Sequence, residues 1–411
     1  MVDIASPWED RTIIDDPYPF YRTLRESAPV WRLPGTRTFY VAPWALVADA
    51  IARPDDFSSN LTAVLITGPD GHATEFDMTP LGAAINVLAT GDEPDHGPAR
   101  KLVAPHFTAG HLAQLENGLG SVMERLWSDC VARAKENDGC VEWMSLVGDR
   151  LPMTLVARVI GLPDDDVEQI IALSYESADL LNGLLTMAQM GPLAEAAGAQ
   201  SAYLLGQLEQ AMDDPRDDLL GAYAPRVQSG DMTAEDVIGA LTILVGAGGE
   251  STAGLIGNSA RMLAERPALQ DELRAAPELV PRFLEEVLRL ESPFKGHYRH
   301  VRHDTELGGV PLEGGDHLFL LWSAANRDPL EHDDADELRL DRKYASYHLA
   351  FGRGLHFCLG APLARLEARC AIEALLGGTT SFRLDPDTPP AWQPSVFVRR
   401  HAELHLQLEI A

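Results

Sequence analysis

From Thr233 to Pro267 the chain carries one uninterrupted helical pattern, "AEDVIGALTILVGAGGESTAGLIGNSARMLAER", opened by a capping box of Thr233 with Asp236 and stopped by Pro267. About 32 residues at ~1.5 Å each make a rod roughly 48 Å long, which few soluble helices reach. The same rod carries Gly246, Gly248 and Gly249 at its middle, each costing about 1 kcal/mol relative to alanine in a helix. Any fold of this chain must accommodate the long helix and offset its weak centre.

Helical periodicity also dominates from about residue 94 to 290, as in "LAQLENGLGSVMERLWSDCVARA" and "SAYLLGQLEQAMDD". Strand-like alternation is confined to "RTFYVA", "HLFLLW" around 317–322 and "AELHLQLEI" at the C-terminus. Strands therefore flank helices instead of alternating with them, and the expected class is mainly α with small β-sheets. No linker divides the chain, so residues 1–411 read as one large domain. The poorly periodic stretch Asn60 to Asp92 and the Gly/Ala-rich "MGPLAEAAGA" read as connections, either of which is a candidate lid.

With 45% hydrophobic and 23% charged residues the chain can bury a large core without disulfide staples. Cys130, Cys140, Cys358 and Cys370 form no CxxC pair and no finger-like spacing, which argues against structural zinc. A formal charge of −29 disfavours nucleic acid and anionic membranes. The opening "MVDIASPWEDRT" lacks a basic region followed by an apolar run, and no apolar stretch approaches the ~20 residues of a membrane span. A cytoplasmic location is the expectation.

A lone cysteine is more often a small buried hydrophobe than a ligand, but Cys358 sits in "FGRGLHFCLG" just before the strongly helical "APLARLEARCAIEALL". Free N–H groups at that helix start favour a thiolate. Gly354 permits a turn that a Cβ would resist, Gly360 lets the chain pass close to a flat partner, and Phe351 and Phe357 can exclude water. The pattern Phe351-x-x-Gly354-x-His356-x-Cys358-x-Gly360 resembles the haem-binding signature of the cytochrome P450 family. "EEVLR" resembles that family's buried Glu/Arg pair at Glu286 and Arg289. "NRDP" and "LRLDR" resemble the following meander, with Arg342 as third member of the pair's network. The resemblance runs from about Pro17 to the C-terminal strands.

What the resemblance implies is a haem b cofactor whose iron takes Cys358 as axial thiolate. His96 and Arg100, four apart on one helical face, match the family's propionate-binding pair, and Arg299 and His356 match the remaining positions. Arg302 competes with Arg299 for its role, while His297, His300 and His303 read as ordinary polar strand and turn. Ala247, Gly248, Phe351 and Gly360 are expected against the porphyrin. "AGGEST" resembles the oxygen-binding groove, with the helix opening there to admit dioxygen, Glu250 relaying protons and Ser251 or Thr252 supplying the alcohol. The family usually has threonine directly after the acid, and this chain has Ser251 followed by Thr252.

By the same resemblance the substrate pocket is formed by residues 61–92, residues 175–200, Ile243, Ala247, Phe294, Val396 and Phe397, which suits a small hydrophobic molecule. The implied activity is a monooxygenase using dioxygen, with electrons from a separate ferredoxin and an NAD(P)H-dependent reductase. Arg100, Lys101, Arg353, Arg365 and Arg369 are the candidate docking patch. Alternatives are a peroxide-driven, desaturating or coupling haem-thiolate enzyme, or a non-catalytic haem-binding or sensor protein.

Overall fold

The computed structural model describes residues 4–80, 88–214 and 216–411, without the side chains of 109, 111–115 and 117. The long helix forms as expected, spanning Ala234–Ala264, with both halves of its capping box made between Thr233 and Asp236 at 3.1 Å. Pro267 opens the next helix, Pro267–Ala275. Helices Arg150–Ile160, Ala361–Gly377 and Val280–Leu290 pack around the long one. By length and composition the long helix could cross a membrane, but from Thr252 to Ala260 every residue is buried in this protein's own core.

The expected opening at the glycines is absent: the helix runs unbroken through Gly246, Gly248 and Gly249. Helix packing explains these residues better. A Cβ on Gly248 would stand 2.8 Å from Cγ2 of Val156, and one on Gly249 would stand 2.4 Å from Cε of Met153. Both neighbours belong to Arg150–Ile160, so the glycines let two helix backbones approach, and the packing gained offsets their low propensity.

One core cluster surrounds the buried half of the long helix, joining Leu255, Ile256 and Leu263 to Phe283, Leu284, Ile372 and Trp143. A second, around Val156, Leu204, Leu219, Leu241 and Val245, lies on its other half. A five-stranded sheet has the order Val30–Arg32, Thr38–Val41, His317–Leu320, His297–Val301, Phe57–Ser58, with one parallel pairing between Thr38–Val41 and His317–Leu320. The C-terminal His405–Ile410 pairs with Thr379–Leu384 and with Cys140–Glu142.

Two stretches expected to be connections are regular. Ala63–Thr67 and Ala73–Asp77 form a two-stranded hairpin whose first strand is wholly buried. "AVLIT" has no alternation because both its faces are covered, which hides it from a period-two search. "MGPLAEAAGA" starts the 24-residue helix Met190–Asp213: four alanines outweigh two glycines, and Pro192 falls in the first turn, where its missing N–H costs nothing.

Candidate active site

The cysteine loop turns on two glycines in left-handed backbone conformation, Gly352 at φ 66° and Gly354 at φ 70°, where a Cβ would be strained. The turn brings the Cys358 N–H to the Phe351 carbonyl at 2.9 Å. The amides of Gly360 and Ala361 then point at the sulfur from the start of helix Ala361–Gly377. Burial nevertheless pushes the thiol up from its ordinary value, against those amides and the positive charges of Arg100 and Arg365. The helix start alone therefore does not produce the expected thiolate; a cation at the sulfur would.

Facing this loop across a cavity are Ala247, Gly248, Ser251 and Thr252 of the long helix; Ile243, Phe294, Phe351, His356, Phe357, Cys358 and Gly360 also line it. The cavity has a volume of about 230 Å³. The long helix and the cysteine loop line it from opposite sides.

One part of the lining is cationic and unpaired. Arg299 is buried, donates to the Tyr298 carbonyl at 2.7 Å, and meets no carboxylate at ion-pair distance among the described residues. Burial brings it down to about 10. His356 lines the same cavity, driven to about 3 by burial and by Arg299, with neither ring nitrogen hydrogen-bonded. His96 stands behind it, the ring centroids 4.3 Å apart, also without a hydrogen bond. Its nearest acid is Glu93 at 3.7 Å. Arg100 donates to the Phe357 carbonyl at 2.8 Å and lines the cavity. Arg302 is instead paired with Asp92. Buried donors without acceptors are costly, and a planar group bearing two carboxylates, as haem does, would satisfy them.

His297, read from sequence as ordinary strand, lines the cavity too, and burial lowers it to about 4. It lies two residues before Arg299 in strand His297–Val301, and the period of two puts both on one face. That spacing was the available signal. Glu367 was missed as well. It lines the cavity from helix Ala361–Gly377, hydrogen-bonded to Thr252, and burial pushes its carboxyl well above the ordinary range.

Other expected residues sit elsewhere. Glu250 is buried outside the cavity lining, 3.3 Å from Arg400 Nε, and burial raises its carboxyl. Ser251 Oγ donates to the Ala247 carbonyl at 2.6 Å. Val396 and Phe397 do not line the cavity: Phe397 packs against Phe294 with ring centroids 5.0 Å apart, and Val396 packs over Gly183. Nothing between residues 175 and 200 reaches it, and from 61–92 the described lining residues are Leu88 and Ala89; residues 81–87 lie outside the description. In the basic patch, Arg365 is bound to Glu285 at 2.6 Å and Arg369 to Glu116 at 2.9 Å, which leaves Lys101 and Arg353 as its exposed cations without an acidic partner among the described residues.

Beneath the loop, Glu286 and Arg289 are fully buried and joined at 2.8 Å. Arg342 reaches Glu286 at 2.9 Å, and Arg289 donates to the carbonyls of Asn326, Ala335 and Glu337. The meander is thereby tied to helix Val280–Leu290.

Comparison with known proteins agrees with this geometry. The family described as Cytochrome P450 matches residues 207–403. Cytochrome P450 144 of Mycobacterium tuberculosis is 43% identical over 396 residues, covering 96% of this chain and 90% of the relative. The erythromycin C-12 hydroxylase of Saccharopolyspora erythraea is 32% identical, covering 89% and 87%. The testosterone complex of CYP109E1 from Bacillus megaterium superposes with a TM-score of 0.84 at 26% identity, covering 97% and 99%. The chain belongs to the cytochrome P450 family of monooxygenases, which carry haem b on a cysteine thiolate.

Proposed function

We propose that this single-domain enzyme inserts one oxygen atom of dioxygen into a C–H bond of a small hydrophobic substrate in the cytoplasm, drawing electrons from a separate ferredoxin and its NAD(P)H-dependent reductase. The observation that carries the reading is the cavity with Cys358 at one face and the unpaired Arg299, His356 and His96 beside it. In this reading Cys358 would hold the haem iron through its sulfur, and His96, Arg100, Arg299, His356 and His297 would hold the propionates. Ala247, Gly248, Phe351 and Gly360 flank the ring.

Bound there, the haem would supply dioxygen reduction and C–H oxidation, with thiolate donation favouring O–O cleavage. The chain's own residues orient and exclude water. Ile243, Leu244, Pro293 and Phe294 offer apolar walls for substrate, in keeping with relatives named for a macrolide hydroxylation and a testosterone complex. Ser251 and Thr252 present hydroxyls on the long-helix side, and Glu250 renews their protons. Lys101 and Arg353, with the exposed Leu355 and Phe357, form the ferredoxin surface.

The test is an optical titration of the ferric protein against terpenoids, steroids, macrolides, fatty acids and small aromatics, followed by turnover with a ferredoxin and reductase. A low-to-high-spin shift with product bearing one added oxygen is the expected result. Retention of haem with no shift and no substrate-dependent NAD(P)H use would sink the reading.

A further inference from the structure

Glu250 faces away from the cavity, so its proton must come from the far side of the long helix, where four side chains converge. Arg400 lies between two carboxylates, 3.3 Å from Glu250 Oε1 and 3.4 Å from Asp149 Oδ1. The Tyr175 hydroxyl donates to the same Asp149 oxygen at 2.9 Å, and the Arg400 guanidinium stacks 4.3 Å over the Tyr175 ring. A π-type turn, Met144–Gly148, places Asp149, whose N–H reaches back to the Met144 carbonyl at 2.8 Å; such turns are rare and often re-aim a functional side chain.

We propose that Asp149 is the solvent-side member of a proton inlet, sharing the cation Arg400 with Glu250, and that the pair holds one proton and passes it toward the hydroxyls of Ser251 and Thr252. The inference rests on the monooxygenase reading. Exposure falls inward, from 15% of the Asp149 side chain to 7% of Glu250. In each cycle Asp149 takes a proton from water and hands it to Glu250. Glu250 restores the hydroxyl that has given its own, and both carboxylates return to their starting state.

One arginine cannot balance two buried carboxylates. Burial raises both acids, Asp149 to about 6, with Glu142 and Glu168 adding to its rise and Arg400 and Tyr175 opposing it. Asp179 and Asp149 add to the rise of Glu250, against Arg400. Both acids therefore hold a proton more readily than a free carboxyl, as a donor in turnover requires. Asp149 acts through Glu250 and is a positioning residue.

Two measurements on the haem-loaded protein test this with Asp149→Asn, and with Tyr175→Phe as a milder variant that leaves both carboxylates in place. Infrared titration of the resting ferric protein should show a protonated-carboxyl band with a midpoint near 6, absent in Asp149→Asn and shifted in Tyr175→Phe. In turnover with a compound that shifts the spin state, Asp149→Asn should form product about tenfold more slowly. It should also divert electrons to hydrogen peroxide and lose the wild-type pH profile, with the spin-shift midpoint unchanged. A band that still titrates near 6 in Asp149→Asn, apart from the constant band of the buried Glu367 carboxyl, overturns the inference and leaves the monooxygenase reading intact, as does a wild-type pH profile in that variant. A wild type that shows the band but oxidises no substrate defeats the functional reading and leaves only the shared proton.

Discussion

The two sides of the cavity are held by opposite means. Below the cysteine loop the contacts are buried ion networks. Glu286 joins Arg289 and Arg342, and Glu285 joins His348 and Arg365; a further network at Glu291 joins Arg327 and Arg399 to Arg261 near the end of the long helix. On the long-helix face the contacts are steric, with Gly248 against Val156 and Gly249 against Met153, and the acid there shares its arginine with a second carboxylate. A charge network fixes direction as well as distance, which suits a loop that must present one sulfur. A glycine-packed helix fixes distance alone and leaves room above the cavity.

The largest effect that would break this comparison is loss of Glu286. Its carboxylate accepts from Arg289 Nε at 2.8 Å, Arg289 Nη2 at 2.9 Å, Arg342 Nε at 2.9 Å and the Arg339 amide at 2.9 Å. Glu286→Gln leaves the buried Arg289 guanidinium and the half-buried Arg342 short of an anion and should cost about 3–5 kcal/mol, read as a lowered denaturant midpoint with haem loss in the same transition. Glu250→Gln, with one long contact to Arg400, should cost about 1 kcal/mol. Equal costs would mean the two faces do not differ in this way.

Acid titration separates the faces next. Glu285 and Glu291 are each lowered from 4.5 to about 2, since their arginine partners, with His348 at Glu285, outweigh the burial that opposes them. Their folded values lie below the unfolded ones, so the stabilisation is complete above 4.5 and is lost as the pH falls toward 2. The loss is on the order of 3 kcal/mol for Glu285. Asp149 has the opposite sign. Raised from 3.8 to about 6, it binds its proton more tightly in the folded state, and its contribution declines as pH rises through that interval. Urea midpoints across pH should show the acid loss, and Glu285→Gln should flatten it while Asp149→Asn leaves it.

The same contrast governs what the sequence discloses. The Glu286-x-x-Arg289 spacing and the glycines around Cys358 are short-range requirements, because one helix turn places the pair and two left-handed residues make the turn. Both were readable along the chain. Glu250 could be identified as an acid in the long helix, but its partner Arg400 is 150 residues away and nothing local announces it. The buried strand Ala63–Thr67 was missed because it lacks alternation, and Phe397 was placed in the pocket by the family resemblance, whereas Phe294 intervenes. The unbroken long helix corrected an expectation that came from the family resemblance and from the low helix propensity of its glycines, with the facing helix unknown.

A smaller test concerns the cationic part of the cavity lining. Arg299→Leu should speed haem transfer to an acceptor apoglobin more than His297→Phe. A hydrogen bond involving a charged group contributes about 1.5–3 kcal/mol, or about ten- to a hundredfold in rate, against about 1 kcal/mol for the neutral imidazole. Were His297→Phe without effect on haem release, His297 would serve the substrate side of the cavity instead, and its replacement should then move the spin-shift midpoint.

The smallest expected effect bears on the steric face. Alanine at Gly249 gains about 1 kcal/mol of helix propensity, and its Cβ meets only the mobile end of Met153, whose terminal methyl can swing aside. Alanine at Gly248 gains the same propensity but meets Val156 at 2.8 Å from Cγ2 and 3.1 Å from Cβ. A β-branched side chain in a helix has one preferred rotamer and cannot yield, so the two helices must separate at an overpacking cost of about 1–3 kcal/mol. Gly249→Ala should therefore be neutral or slightly stabilising and Gly248→Ala destabilising by about 1 kcal/mol net. Pairing Gly248→Ala with Val156→Ala should recover part of that loss if the contact is its cause. Recovery would show that the face above the cavity is set by the fit between two helices; no recovery would place the strain in the long helix itself.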